Sequence, residues 1–132
     1  MHYKMRDQIR FKIGKEEKNI QEKWIEIPEG TEHIQMMIEM PEEFRYMAFL
    51  FLEDPKKEIR FQKLLGYGQQ NPGIGKSTKD TTIGGVPGEI YPGTWKIGIG
   101  IFTEYVAQKL GEQTGEIVLT VSDRKDVVSD PI

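Results

Sequence analysis

From Trp95 onward the chain alternates: Trp95, Ile97, Ile99 and Ile101 share one parity, and Lys96, Gly98, Gly100 and Phe102 share the other. Side chains of an extended backbone point to opposite faces in turn, so such a run buries one face and leaves the other for solvent or a partner. A Gly/Pro-rich approach over residues 84–94 leads into it, with a tight turn at Pro92-Gly93. The same period recurs in four other places. Ile9, Phe11 and Ile13 share a face, as do Ile25 and Ile27, then Ile34, Met36, Ile38 and Met40, and finally Ile117, Leu119 and Val121. Turn signals separate the runs, and Pro41 stops the third because it has no N–H to give to a ladder.

Between these runs the pattern is less regular. Residues 46–52 are apolar on both parities, which predicts a strand covered on both sides. Residues 59–65 fit a short strand or a helical turn, residues 66–75 read as a Gly/Gln/Asn/Pro loop, and residues 76–83 read as a polar edge strand. A charged connection over 104–115 has room for a helical turn at 106–110. The sum is seven or eight short strands and no helix of ordinary length. Parallel sheets need crossover helices, so the expected fold is all-β, an antiparallel β-sandwich of jelly-roll-like or immunoglobulin-like type. Residues 1–123 are expected to form this one domain, and 124–132, which lose the alternation, a linker or disordered tail.

At 132 residues a single core is self-sufficient. Cysteine is absent, which excludes a disulfide-stapled mini-protein, thiol nucleophiles and cysteine zinc sites. With 18 basic and 21 acidic residues there is no basic excess to attract nucleic acid. No segment nears the ~20 apolar residues of a membrane helix, and the first residues show no signal-peptide pattern. The expected setting is the cytoplasm.

Catalytic motifs were weighed by their context. Residues 71–78 contain Gly75-Lys76-Ser77, but Gln70 stands where a phosphate-binding loop needs its first glycine, and the Thr-rich stretch that follows is not helical in character. The only histidines are His2 and His33, too few for a hydrolytic zinc site, and His33 beside Glu32 reads as a surface strand residue. No serine has a plausible histidine partner. The carboxylates at turns (Glu53, Asp54, Asp80, Asp123, Asp126) show no regular calcium-ligand spacing and read as solvated. No catalytic residue, metal ligand or cofactor is therefore expected in this chain.

Aromatic residues are better candidates. Tyr67, Tyr91 and Tyr105 fall in or beside loops, and Trp24 stands opposite the inward face of its strand. Flat aromatics on a sandwich can serve as platforms for sugars or peptides. Gly98 and Gly100 in a strand mark a close approach, expected to come from the 104–115 connection.

Three segments carry a family resemblance: Ile27-Pro28-Glu29-Gly30-Thr31-Glu32-His33-Ile34, Phe51-Leu52-Glu53-Asp54-Pro55, and Gly88-Glu89-Ile90-Tyr91-Pro92-Gly93-Thr94-Trp95. In order and spacing they resemble the N-terminal β-sandwich domain of PHP-type metallohydrolases, described broadly as metal-dependent phosphoesterases, over residues 20–121. The Pro-Gly-Thr-Trp turn also looks like pre-peptidase-type and galactose-binding-like sandwiches. The resemblance implies a non-catalytic accessory domain that docks on or orients a catalytic domain C-terminal to it. The His- and Asp-rich metal motifs of such enzymes have no counterpart here. Tyr67, Tyr91 and Tyr105 are the expected binding surface. The alternative is a free-standing carbohydrate- or peptide-binding module. Neither reading calls for nucleic acid or membrane, and at most a weak homodimer through an edge strand is expected.

Overall fold

The computed structural model describes residues 5–14, 16–66, 70–102, 108, 111, 115–125 and 130–132. Eight strands make up the fold: β1 (Arg6–Ile13), β2 (Ile20–Ile27), β3 (His33–Glu39), β4 (Phe49–Glu53), β5 (Ile59–Leu64), β6 (Gly73–Gly75), β7 (Gly93–Gly100) and β8 (Gly115–Ser122). They form two four-stranded antiparallel sheets, ordered β1-β8-β3-β6 and β2-β7-β4-β5. Each of the first four strands falls in the opposite sheet from the one before it. The order is that of a jelly roll, with two interlocked Greek keys, rather than of an immunoglobulin sandwich.

The core is what the alternation predicts. Phe11, Ile13, Ile27, Ile34, Met36, Ile38, Trp95, Ile97, Ile99, Ile117, Leu119 and Val121 all face the space between the sheets and are buried. β4 adds Leu50 and Leu52, and β5 adds Phe61. Trp95 is wholly buried at the head of β7, and its indole N–H donates to the Tyr91 carbonyl at 2.7 Å, so the Pro92-Gly93 turn is tied to the core. Gly93 has φ 122°, which a side chain would strain, and it lies against the Pro55 ring.

The structure departs from the sequence expectations at several points. The 46–52 segment is not covered on both sides. Its strand begins at Phe49, Tyr46 sits in a turn with φ 60°, and Phe49 faces outward while Phe51 is half-buried. In a two-layer sandwich nothing stacks on the second face, so the outward aromatics there have no third layer to cover them. The polar edge strand expected at 76–83 is absent. The edge strand is the three-residue β6, inside the segment read as a loop, and Thr78–Asp80 form a 3-10 turn. The Ser77 hydroxyl donates to Asp80 at 3.0 Å, which favours that turn over an extended chain. The close approach at Gly98 comes from the Phe51 ring, which occupies the place a Cβ would take, and not from the 104–115 connection. His33, finally, is not a surface residue. It is buried at the start of β3, with its Nε2 2.8 Å from Gln35 Oε1.

Residues 81–86 close one flank of the sandwich. Thr81 and Thr82 cover β6: their hydroxyls accept the N–H groups of Gly75 (3.1 Å) and Gly73 (3.0 Å). A few residues on, Gly84 accepts from Gln62 N–H (3.0 Å) and Val86 N–H donates to Arg60 (2.9 Å), covering β5. Part of the segment read as a linker or disordered tail is held in place here. Ile132 N–H donates to Thr81 at 2.9 Å, and Pro131 bridges Thr82. The helical turn expected at 106–110 falls largely outside the described residues.

Candidate functional site

The two outer faces differ in chemistry. Over β1-β8-β3-β6 the outward positions include Gln8, Arg10, Lys12 and Glu116, with Arg10 and Glu116 paired at 3.3 Å. At the β1-β8 end that is an ordinary solvated surface, whereas His33 and Gln35 at the β3-β6 end are buried. The outer face of β2-β7-β4-β5 is different.

Register builds this second face row by row. Ile20 pairs with Gly100, Gly100 with Phe49, and Phe49 with Leu64, so one row across all four strands is apolar with a glycine in it. A Cβ on Gly100 would meet none of the described residues within 4 Å, so among them the row has an open floor. Ile20, Phe49 and Leu64 are exposed, with Tyr46 and Phe102 beside them, and together they wall a groove of about 570 Å³. Among the described lining residues none carries a charge. Exposed apolar surface gathered in one place, rather than scattered, is what sets a recognition surface apart from ordinary solvent-facing side chains.

The next row holds Glu22, Gly98, Phe51 and Gln62, and the tip of the Phe51 ring covers Gly98. Beyond it come Trp24, Lys96 and Glu53. Trp24 is 62 % exposed in the middle of an eight-residue strand. The Lys96 ammonium sits between Glu22 (3.1 Å) and Glu53 (3.6 Å). Its hydrogen bond to Glu22, with the charges of Glu22 and Glu53, raises its pKa above the ordinary lysine value. Thr94 donates to Glu26 at the far end.

Of the tyrosines expected to form the binding surface, Tyr67 and Tyr105 lie outside the described residues. Tyr91 is half-buried just before β7, with the Lys56 ammonium 4.1 Å from its ring centroid. Behind it Arg60 is buried, 5.4 Å from the Trp95 ring, and donates to the carbonyls of Glu89 (2.7 Å) and Val86 (3.2 Å). Asp54 lies 3.5 Å from Arg60 and accepts from the N–H groups of Lys56 and Glu58. The Gly88–Trp95 stretch is thus wrapped around a buried arginine. Tyr91 and the groove stand at opposite ends of β7, and the fold does not bring them together.

The segment resembling a phosphate loop is used structurally. The Gly73 and Gly75 N–H groups are taken by Thr82 and Thr81, and only the three-residue 3-10 turn follows. Close by, burial lowers the pKa of His33 despite its bond to Gln35 and the nearby Asp80. Asp80 is held below the ordinary carboxylate value by Lys125 first and Ser77 second. Among the described residues no group of three or more His, Asp or Glu is placed to hold a metal ion, and no helix is long and apolar enough to cross a membrane.

The fold and this face define an antiparallel jelly-roll sandwich in which one outer face carries an uncharged apolar row at one end and Trp24 with a charged cluster at the other. Compared with known proteins, the chain matches no family model and no curated protein.

Proposed function

We propose that this domain is a non-catalytic accessory module of a metal-dependent phosphoesterase, acting in the cytoplasm, that docks on or orients a catalytic domain. The observation carrying the docking part is the uncharged groove across Ile20, Gly100, Phe49 and Leu64. The resemblance over residues 20–121 supplies the kind of partner. Docking releases water from apolar walls that are exposed in the free domain, worth about 25 cal/mol per Å² removed from solvent. The open floor at Gly100 admits one projecting apolar side chain from the partner.

The test begins with the reading frame beyond Ile132. A continuation rich in His and Asp motifs, expressed separately, is expected to bind this domain in trans. Leu64→Asp is expected to weaken that binding at least tenfold without unfolding the sandwich, because Leu64 faces outward. A frame that stops, or a catalytic domain that ignores the substitution, overturns the reading.

A second reading, a carbohydrate- or peptide-binding module, is favoured by one observation, the exposed Trp24 beside an ordered polar cluster.

A further inference from the structure

We infer that Trp24, with Lys96, Glu22 and Glu53, forms a saccharide subsite that stacks one neutral sugar ring on the indole. This deepens the second reading above and does not depend on the docking groove. Ile20 and Trp24 are four residues apart on β2, about 13 Å at the usual rise of a strand.

The surroundings of the indole decide what can cover it. A lone exposed tryptophan is weak evidence, since an apolar partner would cover it as well as a sugar would. Here the same-face neighbours are polar on every side but that of Gly98, where the Phe51 ring fills the space over the glycine. Glu22 and Glu26 lie two residues to either side on β2, and Lys96 is directly across on β7 with Thr94 diagonal to it. An apolar protein partner would have to desolvate these groups without pairing them, which costs more than the indole returns. A pyranose ring offers the opposite combination. Its C–H face covers an aromatic plane, and its hydroxyls, each a donor and an acceptor, satisfy groups at the rim.

The polar groups are also held in place before any ligand arrives. Lys96 is fixed between Glu22 at 3.1 Å and Glu53 at 3.6 Å, and its ammonium has three donors for these two carboxylates. Each carboxylate keeps an oxygen beyond the one that contacts Lys96. Donor and acceptor thus stand side by side, the pattern that vicinal hydroxyls pair with, and little side-chain entropy remains to be lost on binding. Charge selects further. Glu22, Glu26 and Glu53 outnumber Lys96, so an acidic sugar is disfavoured. The surface at Trp24 is a face, not a cavity, which suits one unit of a longer chain running across the sheet.

Two tryptophans make the test direct. Trp24 is exposed, whereas Trp95 is fully buried and serves as an internal control for folding. The protein is titrated with cellohexaose, xylohexaose, mannohexaose and chitohexaose, with hexagalacturonate as the anionic case and extended Tyr- and Pro-containing peptides as the other arm. At least one neutral oligosaccharide is expected to give a saturable blue shift of tryptophan emission. Trp24→Ala should then lose at least tenfold in affinity, Trp24→Phe should retain binding within about threefold, and Glu53→Gln should weaken it several-fold. Hexagalacturonate is expected to bind at least tenfold more weakly. If no oligosaccharide binds, the inference is overturned, and peptide binding in the same experiment would leave the module reading standing without it. Saccharide binding that survives Trp24→Ala also overturns the inference, while upholding the reading it rests on.

Discussion

His33 is a basic group held where its charged form is poorly accommodated. Burial lowers its pKa, against weaker raising contributions from Gln35 and Asp80, and Lys125 lowers it further. The unfolded chain therefore takes up a proton near the ordinary value of 6.5 before the folded protein does. Stability from this residue is complete above that value and declines as pH falls through it, since the unfolded state then binds more protons. One proton sets a ceiling of about 1.4 kcal/mol per pH unit on the slope. The Tm is expected to drop between pH 7.5 and 5.5, and His33→Gln is expected to remove most of that dependence, whatever its effect on the absolute Tm. Asp80, whose pKa is depressed, loses its contribution only below its ordinary value of 3.8, so the two effects separate in a pH series. An unchanged slope in the variant would refute the assignment. The burial of His33 was not readable from its neighbours, because strand parity alone would place it opposite Ile34. Its cover is built from Gly75 and Asp80, which the sequence keeps far away.

Strands with a strict period were legible, and strands without one were not. In β1, β2, β3, β7 and β8 the inward residues are the ones the alternation marks. β6 is Gly-Ile-Gly, which has one inward side chain and no pattern to read; its hydrogen-bonded partners make it a strand. The groove was hidden for a related reason. Ile20, Phe49, Leu64 and Gly100 come from four separated segments, and only the register of the sheet aligns them. Gly98 and Gly100 look equivalent in sequence yet sit in opposite environments. A methyl group at Gly98 would overlap the Phe51 ring, while one at Gly100 would meet none of the described residues. Gly98→Ala is expected to cost about 1–3 kcal/mol in denaturant unfolding. Gly100→Ala is expected to stay within about 0.5 kcal/mol, as surface substitutions usually do. Equal effects from the two would show that the ring does not rest on Gly98.

At the scale of the molecule, β8 runs between β1 and β3, so the sheet holding the first strand is completed by nearly the last residues of the domain. Contacts of such sequence separation form late and slowly, and refolding is expected on the millisecond-to-second scale by stopped-flow tryptophan emission. Recovery of Trp95 burial in microseconds would contradict the order of strands described here. The closed flank has a consequence of a different kind. Residues 81–86 already take edge hydrogen bonds of Arg60 and Gln62 in β5 and of Gly73 and Gly75 in β6, so a strand arriving from another chain finds those positions occupied. Among the described residues only β1 and β2 remain as borders, and there it meets charges of both signs, Arg10, Lys12 and Lys23 with Glu22 and Glu26. Charged side chains along a free border make the docking of a further strand costly. End-to-end growth of stacked sheets would need two compatible borders on opposite sides of each molecule. This one offers a single side, bordered by charges of both signs, so growth from sheet to sheet has no second border to use.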